Sequence, residues 1–333
     1  MRNSFFLLVI CISLLSCESK QDYKMGYSGS ANEVVVVTSV EQWSGIIGSS
    51  IQKYFADYET VLPQAERKFW IINIDEENFG SLFQTHRNVI MLDIASGNQP
   101  KIEYKKSHWA KEQLLCKITA GSDKQFAQLI EERGNELVYR FHEAEIQRQI
   151  AKNKKFGSSS LGEKLQAKHK LTITPQKDAY IATDSSNFIW IRLEREQSLG
   201  GFEHQISQGI MVYYYDYQDT LQLKPETLLS VRDSITKKYL PGPSDGSYMT
   251  VSTRGEMPEY QPINYQDGYA VQIKGLWRMQ NDFMGGPFIS MTTIDAKNNR
   301  IVTAEGYVYA PQFKKRDYLY EVEAMIKSLA FTN

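Results

Sequence analysis

The stretch NKKFGSSSLGEK, residues 153–164, separates two parts of the chain that differ in sequence pattern. A run of small residues between two periodic segments is typical of a connection. We therefore predict an N-terminal part over residues 33–155 and a C-terminal part over residues 156–333. The apolar residues repeat differently in the two parts, and this difference predicts the fold class.

The N-terminal part alternates strand patterns with helical patterns. Four apolar runs are typical of strands, namely EVVVVTSV, KFWIINI, NVIMLDI and EQLLCKITA. Residues 42–56 have a helical pattern, and apolar residues on one face predict a long helix over 123–152. Strands that are separated by helices indicate an α/β or α+β layer.

Strand patterns dominate the C-terminal part. They are FIWIRLE, GIMVYYYDYQ, YMTVST, YAVQIKGLW, PFISMTTID and RIVTAEGYVYA, and helical patterns occur at 225–238 and 316–329. Such a series predicts a mainly antiparallel sheet that is covered on one face, with the C-terminal helix packed on it. The whole chain is therefore predicted to be α+β: an alternating strand and helix part ends in a long helix, and the antiparallel sheet follows.

The N-terminus carries an export pattern. Residues 5–15 are apolar, and this segment is too short to span a bilayer, which takes about 20 residues. The basic Arg2 before this segment is typical of a secretory signal, and the end LLSC resembles a bacterial lipobox. Residues 1–16 are therefore predicted to be a lipoprotein signal peptide, and Cys17 is predicted to be lipidated. The alternative is an ordinary signal peptide with a cysteine at its end. Residues 17–32 are polar and are predicted to be a flexible tether.

These features predict a lipid-anchored protein of the bacterial cell envelope, with the outer membrane as the expected membrane. The membrane is thus one expected partner, through the lipid on Cys17. The net charge of −1 gives no electrostatic reason to expect nucleic acid. Two basic runs, at 105–106 and 152–155, are expected to be solvated surfaces, with contact to anionic headgroups as the alternative. Cys116 lies in an apolar strand pattern and is expected to be a buried, inert thiol.

No assembled catalytic or metal-binding set is evident in the sequence. The segment 242–246 matches G-x-S-x-G, but a helical pattern precedes it and a strand pattern follows, the reverse of a nucleophile elbow. We therefore assign Ser244 to a turn, and the last histidine, His204, lies upstream of it. His142 and Glu145 have a spacing that suits two metal ligands, but no second pair is evident. No cofactor is expected.

Two aromatic segments are the candidates for binding. In YYYDY, residues 213–217, alternation sends the odd-numbered tyrosines to one face, either as core packing or as a binding platform. In GLWRMQNDFMGGPF, residues 275–288, consecutive glycines permit close backbone approach, so the segment is either a bulge or turn, or a contact region. The predicted contact residues are Trp277, Arg278, Asp282, Phe283, Gly285 and Gly286.

Four segments together resemble an uncharacterised family of Bacteroidota lipoproteins with domain of unknown function 4837. They are RNVIMLDI, RDSITKKYLPGPSDGSYMTV, GLWRMQNDFMGGPF and EGYVYAPQFKKRDYL. The resemblance implies a cell-envelope setting and brings no activity or ligand. The expected function is a non-enzymatic module that binds a ligand or an envelope protein while tethered to a membrane. The alternative is an envelope hydrolase that acts on glycans, peptides or lipids.

Overall fold

The computed structural model describes residues 24–266 and 268–332. The predicted signal peptide and Cys17 lie outside these residues. The elements of the first part are β1 Glu33–Val37, α1 Val40–Ser44, α2 Ile46–Phe55, β2 Trp70–Ile74, α3 Ser81–Gln84, β3 Asn88–Ile94, β4 Lys101–Lys106, β5 Leu114–Ala120 and α4 Asp123–Phe156.

The elements of the second part follow directly after α4. They are α5 Ser159–His169, β6 Leu171–Thr172, β7 Tyr180–Asp184, β8 Phe188–Leu199, β9 Phe202–Asp216, a 3-10 turn Thr220–Leu223, α6 Pro225–Tyr239, β10 Tyr248–Val251, β11 Glu259–Tyr265, β12 Gly268–Gln280, β13 Gly285–Asp295, β14 Arg300–Tyr309, α7 Arg316–Lys327 and β15 Ala330–Phe331. The predicted α+β class is confirmed.

The first sheet has five strands in the order β2-β1-β3-β5-β4. Four of them are parallel, and β4 is antiparallel at the edge. Helices α2 and α4 cover one face, where Phe55, Phe69 and Phe141 meet edge to face with centroids 5.4–6.4 Å apart. Strand β1 is buried on both faces, which explains its unbroken valine run.

The second sheet is antiparallel, with the order β10-β12-β13-β14-β9-β8-β7, and β11 pairs with β12. The predicted cover on one face is wrong, because both faces are buried. Helices α5 and α7 pack on one face, and α6 packs on the other. In β9 the alternation is apolar on both sides: Ile210 and Val212 face α7, whereas Met211 and Tyr213 face α6. Tyr213 is thus a core residue.

Helix α4 joins the two sheets. Its N-terminal half packs on the first sheet, and its C-terminal half contacts α7 through Ile146 and Ile150, which pack on Tyr320 and Ala324. The stretch 153–164 is mostly helical, because α4 extends into it and α5 begins at Ser159. The chain turns sharply at Gly157, where a side chain would collide with the Pro175 carbonyl oxygen.

Residues 24–32 run along the first sheet. Gly26 bridges to Lys111, and Ser28 bridges to His86. Asn32 Nδ2 donates to Asp317 Oδ1 of α7 at 2.8 Å. None of the helices in the described part of the chain is long and apolar enough to cross a membrane.

Candidate functional site

A cavity of about 500 Å³ opens where α4 and α7 meet strands β11 and β12. We call it the charged pocket. It draws its residues from both parts of the chain, since α4 supplies one wall and the second sheet supplies another. Its lining residues are Tyr139, His142, Pro258, Glu259, Tyr260, Gln261, Gln272, Lys274, Glu323 and Lys327.

Glu323 of α7 is the central acid of the charged pocket. Its carboxylate is buried, with both oxygens 3.1 Å from His142 Nε2 of α4. Lys327, one turn further along α7, places Nζ 3.0 Å from Glu323 Oε1 and also donates to the carboxylate of Glu143. The glutamate therefore contacts basic side chains from two helices.

A second ion pair lies beside the first. Lys274 of β12 donates to Glu59 Oε1 at 2.8 Å, and the Tyr320 hydroxyl of α7 donates to Glu59 Oε2 at 2.7 Å. Glu59 comes from the connection between α2 and β2, so this contact ties the first part of the chain to the second sheet. The Tyr320 ring also meets His142 edge to face, with centroids 4.5 Å apart.

The two acids are ionised despite their burial. Burial would raise the pKa of Glu323, but the neighbouring His142 and Lys327 outweigh it and hold that pKa well below its usual value. Burial would also raise the pKa of Glu59, but Lys274 outweighs this effect, so the pKa of Glu59 is lowered as well. The pKa values of Lys274 and Lys327 are raised, because the nearby carboxylates outweigh the burial of each ammonium group. The buried acids and lysines of the pocket therefore form ion pairs with one another.

The opening of the charged pocket has a different chemistry. Tyr139 and Tyr260 are each more than half exposed, so their rings are available to a ligand. Gln261 and Gln272 are directly paired across β11 and β12, and both line the cavity. Aromatic rings beside amide groups can contact apolar and polar parts of the same ligand.

Three residues of the pocket also satisfy the distances of a metal site. Ligand atoms of His142, Glu143 and Glu323 lie within 4.8 Å of one another. The Lys327 ammonium group contacts both carboxylates and provides their positive charge. A metal ion would have to displace this lysine, so the residues do not fit a resident metal.

The ligand-like spacing of His142 and Glu145 does not bring the two side chains to one site. Glu145 faces away from the charged pocket, toward the start of β3. Its Oε1 accepts from Asn88 Nδ2 at 2.6 Å, and its carboxylate pairs with Arg87 and Arg148. Residues three apart on α4 thus contact different neighbours, because α4 passes between α7 and the first sheet.

The predicted contact segment 275–288 begins next to the pocket residue Lys274. Its six predicted contact residues do not line the pocket and lie in and around the hairpin of β12 and β13. Trp277 is 2% exposed, and its Nε1 donates to the Val308 carbonyl oxygen at 3.2 Å. A Cβ on Gly286 would lie 2.0 Å from the same oxygen. Trp277 and Gly286 therefore pack in the sheet.

The other predicted contact residues lie at or near the hairpin tip. Phe283 is fully exposed. Asp282 accepts a hydrogen bond from Ser244 Oγ at 2.6 Å, which joins the tip to the turn before β10. Arg278 pairs with Gly285 across β12 and β13 and is partly buried. The structure brings Arg278, Asp282, Phe283 and Gly285 into one neighbourhood.

Two further expectations concern single residues. Ser244 lies in a turn between α6 and β10, as the sequence indicates. Cys116 is fully buried in β5, and burial raises the pKa of its thiol. Both residues agree with an inert structural role.

Sequence reasoning missed the acids and lysines of the charged pocket. One signal was present in α7. Glu323 lies four residues after Leu319 and three before Ile326, so it shares a helical face with buried apolar residues. A charge on the apolar face of a helix indicates a buried partner.

Comparisons with known proteins address the family. The model of the domain of unknown function DUF4837 matches residues 158–328, slightly more than half of the chain, and that of DUF8532 matches residues 28–154. Neither description states an activity. A search of the curated proteins finds no match.

The solved structures include LpqN, described as involved in cell envelope biogenesis of Mycobacterium tuberculosis. It is 13% identical, with a TM-score of 0.27, over 49% of this chain and 83% of that chain. This likeness is too low to carry an argument about fold or function.

The fold and the charged pocket thus define an α+β protein of two large sheets joined by a long helix, with buried ion pairs where the two parts meet. The chain belongs to the family of the domain of unknown function DUF4837.

Proposed function

We propose that the protein is a non-enzymatic binding module of the cell envelope, tethered to a membrane through a lipid on Cys17. Its ligand site is the charged pocket, and its ligand is a neutral polyhydroxylated molecule such as a glycan. The observation that supports this proposal is the combination of paired charges inside the pocket with exposed tyrosines at its opening.

The pairing of the charged groups argues for a neutral ligand. The carboxylates of Glu59, Glu143 and Glu323 contact the ammonium groups of Lys274 and Lys327 and the imidazole of His142. Glu259, which also lines the cavity, accepts a hydrogen bond from Thr60 Oγ1 at 2.8 Å. An anion or a cation would have to disrupt these pairs. Hydroxyl groups can donate to carboxylates and accept from ammonium groups without adding charge.

The tyrosines at the opening argue for a sugar-like shape. A Tyr side chain offers a flat apolar ring with one polar end. Tyr139 and Tyr260 therefore suit the carbon-bound face of a sugar ring, while Gln261 and Gln272 can bind its hydroxyls. A cavity of this volume is within the range of small-ligand sites.

Affinity for neutral oligosaccharides tests the ligand site. Isothermal titration of the purified full chain would compare wild type with Tyr260→Ala and Tyr269→Ala. Tyr269 is also exposed, on the neighbouring strand β12, and does not line the cavity. We expect Tyr260→Ala to weaken binding by about 3- to 10-fold and Tyr269→Ala to leave it unchanged. Equal effects of the two substitutions would exclude the charged pocket as the ligand site.

A hydrolase is the second candidate, because the charged pocket contains several carboxylates. Glycoside hydrolysis needs one acid that is protonated, with a raised pKa. Glu59 and Glu323 have lowered pKa values, since both bind cations. Neither Glu59 nor Glu323 is therefore suited to donate the proton that glycoside hydrolysis requires, which favours a binding function over a hydrolase. Release of reducing ends from glycans by the wild type, abolished in Glu323→Gln, would support the hydrolase instead.

The hairpin tip is proposed as the contact for an envelope protein. Phe283 is fully exposed, and Asp282 fixes the loop through Ser244. A photo-crosslinking residue at position 283 should capture a discrete partner in cells. The same residue in place of Leu221, which is also exposed, serves as the control. Identical crosslinking patterns at both positions would contradict this contact.

Lipidation is tested by metabolic labelling with a palmitate analogue. We expect the label in wild type and no label in Cys17→Ala. A label that persists in Cys17→Ala would refute the anchor at this residue.

A further inference from the structure

The described chain begins beside several lysines of the first sheet. Lys24 Nζ donates to the Ser107 carbonyl oxygen at 2.5 Å, directly after Lys106 at the end of β4. Lys111 N donates to the Met25 carbonyl oxygen at 2.9 Å. The first described residues and the loop after β4 therefore form one surface.

The C-terminal end of α4 reaches the same surface. A groove of about 410 Å³ is lined by Lys106 and Ser107 on one side and by Gln147 and Ala151 of α4 on the other. A second cavity of about 250 Å³ is lined by Tyr27 and by residues of α4 that include Lys152. Both basic runs of the sequence thus converge on the start of the described chain.

We call this surface the basic end. It comprises Lys24, Lys105, Lys106, Lys111, Lys152, Lys154 and Lys155. Glu112 is an exposed acid among them, and Glu145 is buried with its arginines. The other acids that line the two cavities are each paired with a cation outside this set: Glu143 with Lys327, Asp317 with Arg316 and Glu321 with Arg195. Two apolar side chains, Met25 and Phe156, are 65% and 59% exposed beside these lysines.

We propose that the basic end faces the membrane and binds anionic lipid headgroups, while Met25 and Phe156 contact the interface. Each lysine near an anionic surface adds to the electrostatic attraction between the protein and the lipid headgroups. Exposed apolar side chains within a basic surface are typical of proteins that lie on a membrane interface. A basic surface that held a soluble anion would not need those exposed apolar groups.

The length of the preceding chain agrees with this orientation. Seven residues, 17–23, separate Cys17 from Lys24. A fully extended chain of that length reaches about 25 Å, so a lipid on Cys17 would keep the basic end close to the membrane. This orientation rests on the anchoring under the proposed function, whereas the basic end itself is a feature of the described residues.

The charged pocket would remain open to the envelope space in this orientation. It lies along α4 at Tyr139 and His142, about three to four turns before Lys155. A ligand could therefore reach the pocket while the end of α4 contacts the membrane.

Lysine footprinting on vesicles tests the orientation. The full chain is bound to vesicles of phosphatidylcholine alone, or of equal parts phosphatidylcholine and phosphatidylglycerol. Acetylation of each lysine is then quantified by mass spectrometry on protein that floats with the vesicles. Flotation with the vesicles of phosphatidylcholine alone, which carry no net charge, reports the anchoring. The footprint on the anionic vesicles reports which end faces the lipid, so the two proposals fail separately.

We expect acetylation at Lys105, Lys106, Lys154 and Lys155 to be at least about three-fold slower on the anionic vesicles. Lys237 and Lys238 provide the internal comparison. They form an exposed pair in the last turn of α6, as Lys154 and Lys155 do in α4. Equal protection of both pairs, or identical footprints on the two kinds of vesicle, would overturn the proposal.

Charge reversal provides the second measurement. In Lys154→Glu/Lys155→Glu we expect the protection of Lys105 and Lys106 to fall to the level seen on phosphatidylcholine. The matched variant Lys237→Glu/Lys238→Glu makes the same charge change elsewhere and should retain that protection. Loss of protection in both variants would indicate a net-charge effect and would refute a specific basic end.

Discussion

Replacement of Glu323 by glutamine tests the central ion cluster of the charged pocket. The substitution keeps the volume of the side chain and removes its charge. Lys327 would then keep only Glu143, which is more exposed, and His142 would lose its carboxylate. Breaking a buried ion pair on one side costs about 3–5 kcal/mol, because the remaining charge stays buried. We expect about 3 kcal/mol here, since the glutamine amide can still accept a hydrogen bond.

The contribution of Glu323 to the free energy of unfolding should depend on pH in a definite direction. The pKa of Glu323 is lower in the folded than in the unfolded protein, so its contribution is complete above its ordinary pKa of about 4.5. It is lost as the pH falls toward the folded-state pKa. The difference in free energy of unfolding between wild type and Glu323→Gln should therefore be largest near neutral pH and shrink below pH 4.5.

Urea unfolding followed by tryptophan fluorescence would measure this difference at several pH values. Glu321→Gln is the matched control, because Glu321 lies on the same helix and pairs with Arg195 at a more exposed position. Exposed pairs contribute about 0–1 kcal/mol. A loss below 1 kcal/mol in Glu323→Gln at pH 7, or a difference that does not change with pH, would refute the reasoning.

Three further predictions concern the interior of the two sheets. Arg232 and Glu305 form a buried pair at 2.7 Å between α6 and β14, so Arg232→Met should cost about 3–5 kcal/mol in urea unfolding. The double variant Arg232→Met/Glu305→Leu should recover most of that loss, and no recovery would contradict the pairing. Gly286→Ala should lower the thermal midpoint and alter the tryptophan fluorescence, because its Cβ would lie 2.0 Å from the Val308 carbonyl oxygen. Cys116 should resist thiol reagents in the folded protein and react fully in urea, whereas rapid reaction without denaturant would show that β5 opens.

The two large sheets show where local sequence patterns were sufficient and where they failed. The long central strands were evident from their apolar runs. The edge strand β4, with the sequence KIEYKK, was missed because four of its six residues are charged, as is common where a strand faces water. The cover by α6 was also missed, since the alternation in β9 does not state which helix will lie above each face.

The predicted contact residues fall into two groups in the structure, one packed and one exposed. Trp277 and Gly286 pack between strands, whereas Phe283 reaches solvent at the hairpin tip. All three belong to one unusual segment, and a segment alone does not show which of its side chains face outward. Their orientation depends on the register of β12 against β13 and of β13 against β14.

The sequence by itself determined the types of most elements, the long helix and the α+β class, because periodicity is a local property of the chain. Only the tertiary structure decided which residues form the charged pocket. Glu59 and Lys274 are 215 residues apart, and His142 and Glu323 are 181 apart. A glutamate on a helix has the same local pattern whether it meets water or a lysine. Which of the two it meets, and with it the pKa of the carboxyl group, is decided by the packing of α4 and α7 against the second sheet.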